Sequence, residues 1–169
     1  MQTVVDLLTY PEAFSRFYYM NSRYSIYNVA ALFHHLTVKN IPLGPVHTFK
    51  QWQSLGNPVA RGQQGVYIFA PKDNNRYKKL YVFSISQTVN PITEEIPHPS
   101  FDAMELYNYA KNESQSDIVA TIVVVTLTGS DLGGYTQQVR DFVMSGALPK
   151  DTRVLQEADA IVKRVLKND

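Results

Sequence analysis

Apolar residues recur at helical spacing over residues 4–36, alternate with other residues between 65 and 86, and return to helical spacing near the C-terminus. Val4, Val5, Leu7 and Leu8 predict a short opening helix. Pro11, at home in a first helical turn, starts a second helix whose Phe14, Phe17 and Tyr18 share one face. Ser25 is placed to cap a third, with Ile26, Val29, Ala30, Phe33 and Leu36 as its stripe. IPLGP is a turn, after which Thr48 caps a short helix, FKQWQSL, stopped by Gly56 and Pro58. GVYIFAP and LYVFSIS predict a β-hairpin over 65–86 that turns at Asn74-Asn75.

The proline-spaced segment NPITEEIPHPS predicts a boundary between 1–92 and 93–169. Beyond it, Ser100 is expected to cap the helix FDAMELYNYAK. The segment Asp151–Lys167 carries a clean stripe of Val154, Leu155, Ala158, Ile161, Val162, Val165 and Leu166. DIVATIVVVTLTG is open: its β-branched content favours a strand, while Asp117 as cap and Gly129 as stop suit a twelve-residue helix. The expected fold is α+β, with N-terminal helices on a small antiparallel sheet followed by a C-terminal helical cluster.

Composition adds an asymmetry. Residues 1–91 hold nine basic and three acidic residues, a net +6, whereas 92–169 hold seven basic and twelve acidic, a net −5. Fifteen of the twenty aromatic residues lie in the first part. A basic, aromatic-rich half attracts phosphate and stacks bases, and the acidic half is left as a face for a protein partner. There is no cysteine, so disulfides and thiolate chemistry are excluded and a cytoplasmic setting is expected. The longest apolar run, Ile118 to Leu127, is too short to span a bilayer, and the N-terminus, with Asp6, is unlike a secretion signal.

Catalytic patterns are missing. GSDLGGYT has the glycine spacing of a phosphate loop, but Tyr135 stands at the lysine position and Asp131 adds a negative charge. His34 and His35 are adjacent on a helix and point about 100° apart, so they do not share a metal. There is no H-E-x-x-H and no G-x-S-x-G. The expectation is no catalysis, no metal and no cofactor.

The candidate binding residues interleave rings and cations: Arg23, Tyr24, Ser25 and Asn28; Lys50 and Trp52; Arg61 and Gln63; and Lys72, Arg76, Tyr77, Lys78 and Lys79 around the hairpin turn. Gly62 and Gly65 bracket a loop whose backbone can approach a phosphate. Tyr67, Phe69, Tyr81 and Phe83 alternate along the strands and are expected on one core face.

Several of these segments, in order, resemble the N-terminal domain of the ArdC-type antirestriction proteins. They are Tyr24-Ser25-x-x-Asn28, Phe49-x-x-Trp52-x-x-x-Gly56, Val59 to Gly65, Ala70-Pro71 and Val82 to Thr88. The resemblance spans about residues 14–90, with ARGQQG and Ser84 as departures from the family pattern. It implies single-stranded DNA binding by a protein of a plasmid or phage, residues 1–92 being the binding domain; the same chemistry suits RNA. It also implies that 93–169 is a remnant of a metalloprotease-like domain without its zinc motif, and that 118–127 is helical. Its rivals are an interaction adaptor that keeps the fold without binding nucleic acid, and a degenerate peptidase that still binds peptide.

Overall fold

The computed structural model describes residues 2–73, 76–132, 134–144 and 153–168. Helices α1 (Gln2–Thr9), α2 (Pro11–Met20) and α3 (Ile26–Val38) come first. They are followed by strand β1 (Val46–Thr48), helix α4 (Phe49–Ser54), and the hairpin of β2 (Val66–Pro71) and β3 (Tyr77–Ser84). A 3-10 turn (Ile85–Gln87) and a long coil lead to α5 (Ala103–Ser114), α6 (Asp117–Thr128), α7 (Tyr135–Met144) and α8 (Arg153–Lys167). The fold is α+β, as the sequence predicts. The hairpin turn at Asn74-Asn75 and the start of the last helix at Asp151 lie outside the described residues.

The expected caps hold at two helices. Ser25 Oγ accepts from the Asn28 N–H, and Thr48 and Gln51 form a reciprocal capping box on α4. Two others differ: Asp102 rather than Ser100 caps α5, and Ser116 rather than Asp117 caps α6. In each case the residue immediately before the first turn is placed to reach the amide three residues on, and Ser100 is too far back.

Segment 118–127 is helical. Val119 to Leu127 are all buried, so packing on every side outweighs the strand preference of β-branched residues. Gly129 closes α6 in the left-handed region (φ 71°), with its Cα side against α2, where a Cβ would stand 3.1 Å from Glu12 Cα. In the pattern that has only the glycine spacing of a phosphate loop, Gly129 is therefore a helix stop, and Thr136 Oγ1 donates to the Asp131 carbonyl.

The sheet has the order β1-β3-β2, antiparallel throughout, with Tyr67 opposite Tyr81 and Phe69 opposite Lys79. Strand β1 is absent from the sequence reading because three residues show no period. Val66, Ile68 and Val82 point inward to the helices, and α3 packs along β2. The core is continuous from Leu7 and Phe17 through Leu36 and Val82 to Ile122 and Ile161. The boundary expected at residue 92 thus separates no two cores, because α6 packs on α2, and α8 on α3.

Candidate nucleic-acid interface

The outer face of the sheet is a row of rings. Tyr67 lies 5.6 Å from Phe69 and 6.0 Å from Tyr81, both edge to face, and Phe83 meets Phe49 of α4 at 6.4 Å. Phe69, Tyr81 and Phe49 are 40%, 55% and 51% exposed, so they offer ring surface to solvent. These strand aromatics do not fill the core, contrary to the expectation from their alternation. The smaller Val66, Ile68 and Val82 on the opposite face do. Gly65 permits the arrangement at the Phe83 end, since a Cβ there would stand 3.1 Å from the Phe83 ring and 2.9 Å from the Val82 carbonyl oxygen.

Cations border this row. Lys79 Nζ sits 4.5 Å from the Tyr67 ring centroid, and Lys78, Lys72, Arg76 and Tyr77 are exposed around the hairpin tip. Arg76 is held by Asp73 at 2.8 Å, which removes part of its charge from the outward field. At the other end stand Lys50, beside Phe49, and Arg61, in the loop before Gly65; both are exposed. Gln87 ties that loop down, donating to the Gln64 carbonyl at 2.8 Å and to Gln63 Oε1 at 3.3 Å. Gln63 remains on the surface.

Trp52 needs correcting as a stacking residue. Its ring is 4% exposed, meets His47 edge to face at 4.7 Å, and donates its indole N–H to the Phe83 carbonyl at 2.8 Å. An indole that fills the space beneath a helix and satisfies a strand carbonyl has no free face for a base.

The remaining predicted residues gather at the α2–α3 connection. Arg23 lies 4.3 Å over the Tyr24 ring, contacts His47 Nδ1 at 3.1 Å and donates to the Val46 carbonyl. Asn28 donates to the Phe69 carbonyl at 3.2 Å, tying α3 to β2, while its Oδ1 is buried without a partner among the described residues. Helix α8 holds the connection from the far side. Lys163 donates to the carbonyls of Ser22 and Tyr24 at 2.5 and 3.0 Å, and Asp159 accepts from the Ile26 N–H at 2.9 Å. The sequence reading missed both residues, and a charged pair at i, i+4 inside an apolar stripe was the signal available for it.

Burial pushes the Lys163 ammonium below its usual range, with Asp159 opposing the shift. His47 is also lowered, first by burial and then by Arg23. Among the described residues, no three His, Asp or Glu side chains are grouped to hold a metal ion.

A family model of the N-terminal domain of anti-restriction factor ArdC matches residues 9–115. The chain belongs to this family. In this ArdC-type domain the Tyr24-Ser25-x-x-Asn28 motif caps α3 and straps it to β2, and the Gln87-Thr88 pair anchors the loop before the hairpin. The match passes residue 92 and takes in α5, in keeping with the continuous core. It ends before α6, so of the segment 93–169 expected to be a metalloprotease remnant, residues 93–115 lie inside the match and 116–169 outside it. The match places the chain among antirestriction-related proteins, a class consistent with a DNA partner. No curated protein and no solved structure matches. No helix among the described residues is long and apolar enough to cross a membrane.

Proposed function

We propose that this ArdC-type chain is a single-stranded DNA-binding protein of a mobile element that acts by binding, without catalysis. The observation that carries this reading is the outer aromatic row, with Phe69 and Tyr81 exposed and Tyr67 and Phe83 half-buried beside them, bordered at both ends by Lys79, Lys50 and Arg61. Bases of a single strand stack on such rings whatever their identity, each for about 1–3 kcal/mol, while the cations take the phosphates. A duplex hides its base faces, so the same surface discriminates against it. Antirestriction or a role in transfer or replication follows if the protein coats strands exposed as the element enters a cell.

The test is a fluorescence-anisotropy titration of the whole chain with labelled dT oligomers and with duplex, at two salt concentrations. Preference for the single strand, weakening as salt rises, is the expected result. Equal or undetectable binding of both sinks the proposal and favours the interaction adaptor.

A further inference from the structure

A cleft of about 900 Å³ opens where the start of α3, the free end of the hairpin and the outer turn of α8 meet. Its size falls within the range of small-molecule pockets, roughly 300–1,000 Å³. Tyr24, Tyr27, Phe69 and Tyr77 contribute aromatic surface to it, and Asp159 places a carboxylate among them. Tyr77 is 67% exposed, so its ring is free to close on an incoming group.

The two kinds of wall select what enters. Rings accept a flat apolar face, and a carboxylate repels phosphate, so the group that fits is a base whose phosphate stays outside. Asp159 spends one oxygen on the Ile26 N–H, and a carboxylate with two oxygens has acceptor capacity left. Acceptors call for a donor on the ligand. Cytosine, adenine and guanine carry an exocyclic amine, and an acidic side chain accepting from the cytosine amine is an established pairing. Thymine shows a single N–H between two carbonyl oxygens, which the carboxylate repels.

We infer that this cleft holds one unstacked, amine-bearing nucleobase, with its ring against Tyr77 and Phe69 and its amine on Asp159. Arg23, also on the cleft wall, is the cation available to the attached phosphate. The inference rests on the single-strand reading and adds a base preference that the aromatic row alone does not have.

Ligand-observed NMR titrations of the whole chain with dCMP and dTMP test the cleft without any strand. The expected result is that dCMP binds about tenfold tighter than dTMP. That ratio falls toward one in Asp159→Asn, which keeps an oxygen for the Ile26 N–H and removes the charge. Tyr77→Ala, at an exposed position, weakens both mononucleotides and stands in if Asp159→Asn melts early. Equal binding of dCMP and dTMP, no binding of either, a preference that survives in Asp159→Asn, or unchanged affinities in Tyr77→Ala overturns the inference. The two readings fail separately: dT oligomers bound without mononucleotide preference leave only the aromatic row, whereas dCMP bound without any oligomer leaves only the cleft.

Discussion

Lys163 Nζ donates to the Tyr24 carbonyl at 3.0 Å, joining α8 to the Tyr24-Ser25-x-x-Asn28 motif of the family domain. It also reaches the Tyr18 hydroxyl at 3.0 Å and the Ser22 carbonyl. Three acceptors on one ammonium fix the loop that carries Arg23 and Tyr24. Lys163→Met keeps the apolar stem and removes the donors, and is expected to cost about 1–2 kcal/mol of stability in urea unfolding. An unchanged midpoint would show that the loop holds itself.

The same hydrogen bonds and helix packing predict how fragments behave. A chain cut after residue 92 lacks α6 and α8, and with them the surface against which α2 and α3 pack. The 1–92 fragment is expected to lack a cooperative thermal transition, measured by circular dichroism, whereas the whole chain has one. A folded, strand-binding 1–92 fragment would contradict the shared core.

Trp52 predicts two readouts. Trp52→Phe leaves the Phe83 carbonyl without its donor and is expected to lower stability by about 1–3 kcal/mol. In the parent, the emission of this single tryptophan is expected to be blue-shifted and insensitive to dT oligomers. Strong quenching would restore it as a stacking residue.

Tyr81 behaves in the opposite way. At 55% exposure on the outer face, Tyr81→Ala is expected to change the melting temperature little and to weaken dT-oligomer binding by about 1–3 kcal/mol. Lys79→Ala is expected to flatten the salt dependence by about 0.7 log units, the share of one phosphate left without its cation. Wild-type affinity and salt slope in both variants would remove the row from the interface.

Stability is expected to fall in mild acid. Burial lowers the affinity of His47 and His35 for protons in the folded state, with Arg23 adding to the effect at His47, and His34 and Lys39 adding at His35. The unfolded chain therefore takes up protons first. Stability is lost as the pH drops through the unfolded value of about 6.5 and levels off below the folded values. Melting temperatures at about pH 8 and pH 5.5 measure the loss, which His47→Gln is expected to shrink. A loss of the same size in that variant would assign the effect elsewhere.

Much of this architecture is legible in the sequence because local signals and packing agree. Ser25 caps α3, the 65–86 alternation forms the hairpin, and the 154–166 stripe faces the core on α8, with Leu155, Ala158, Ile161 and Val162 buried. The site is less legible for a physical reason. Both faces of the hairpin are apolar, Tyr67 and Tyr81 on one and Val66 and Val82 on the other, so periodicity separates the two sets without saying which is covered. That choice is made by α3, whose close approach to the sheet suits branched aliphatic side chains. Asp159 and Lys163 are hidden likewise, since their partners are backbone groups over 130 residues away.

Helix α6 carries a cost during synthesis. Its ten residues from Ile118 to Leu127 hold no charge, no proline and many β-branched side chains, the composition of a segment that stacks into intermolecular strands. Only burial on all sides keeps it helical, and α8, part of that cover, leaves the ribosome after it. Until then a nascent chain presents a sticky ribbon. Yield is therefore expected to depend on how quickly α8 arrives, with products stalled or terminated before it going to inclusion bodies while chains that include it do not.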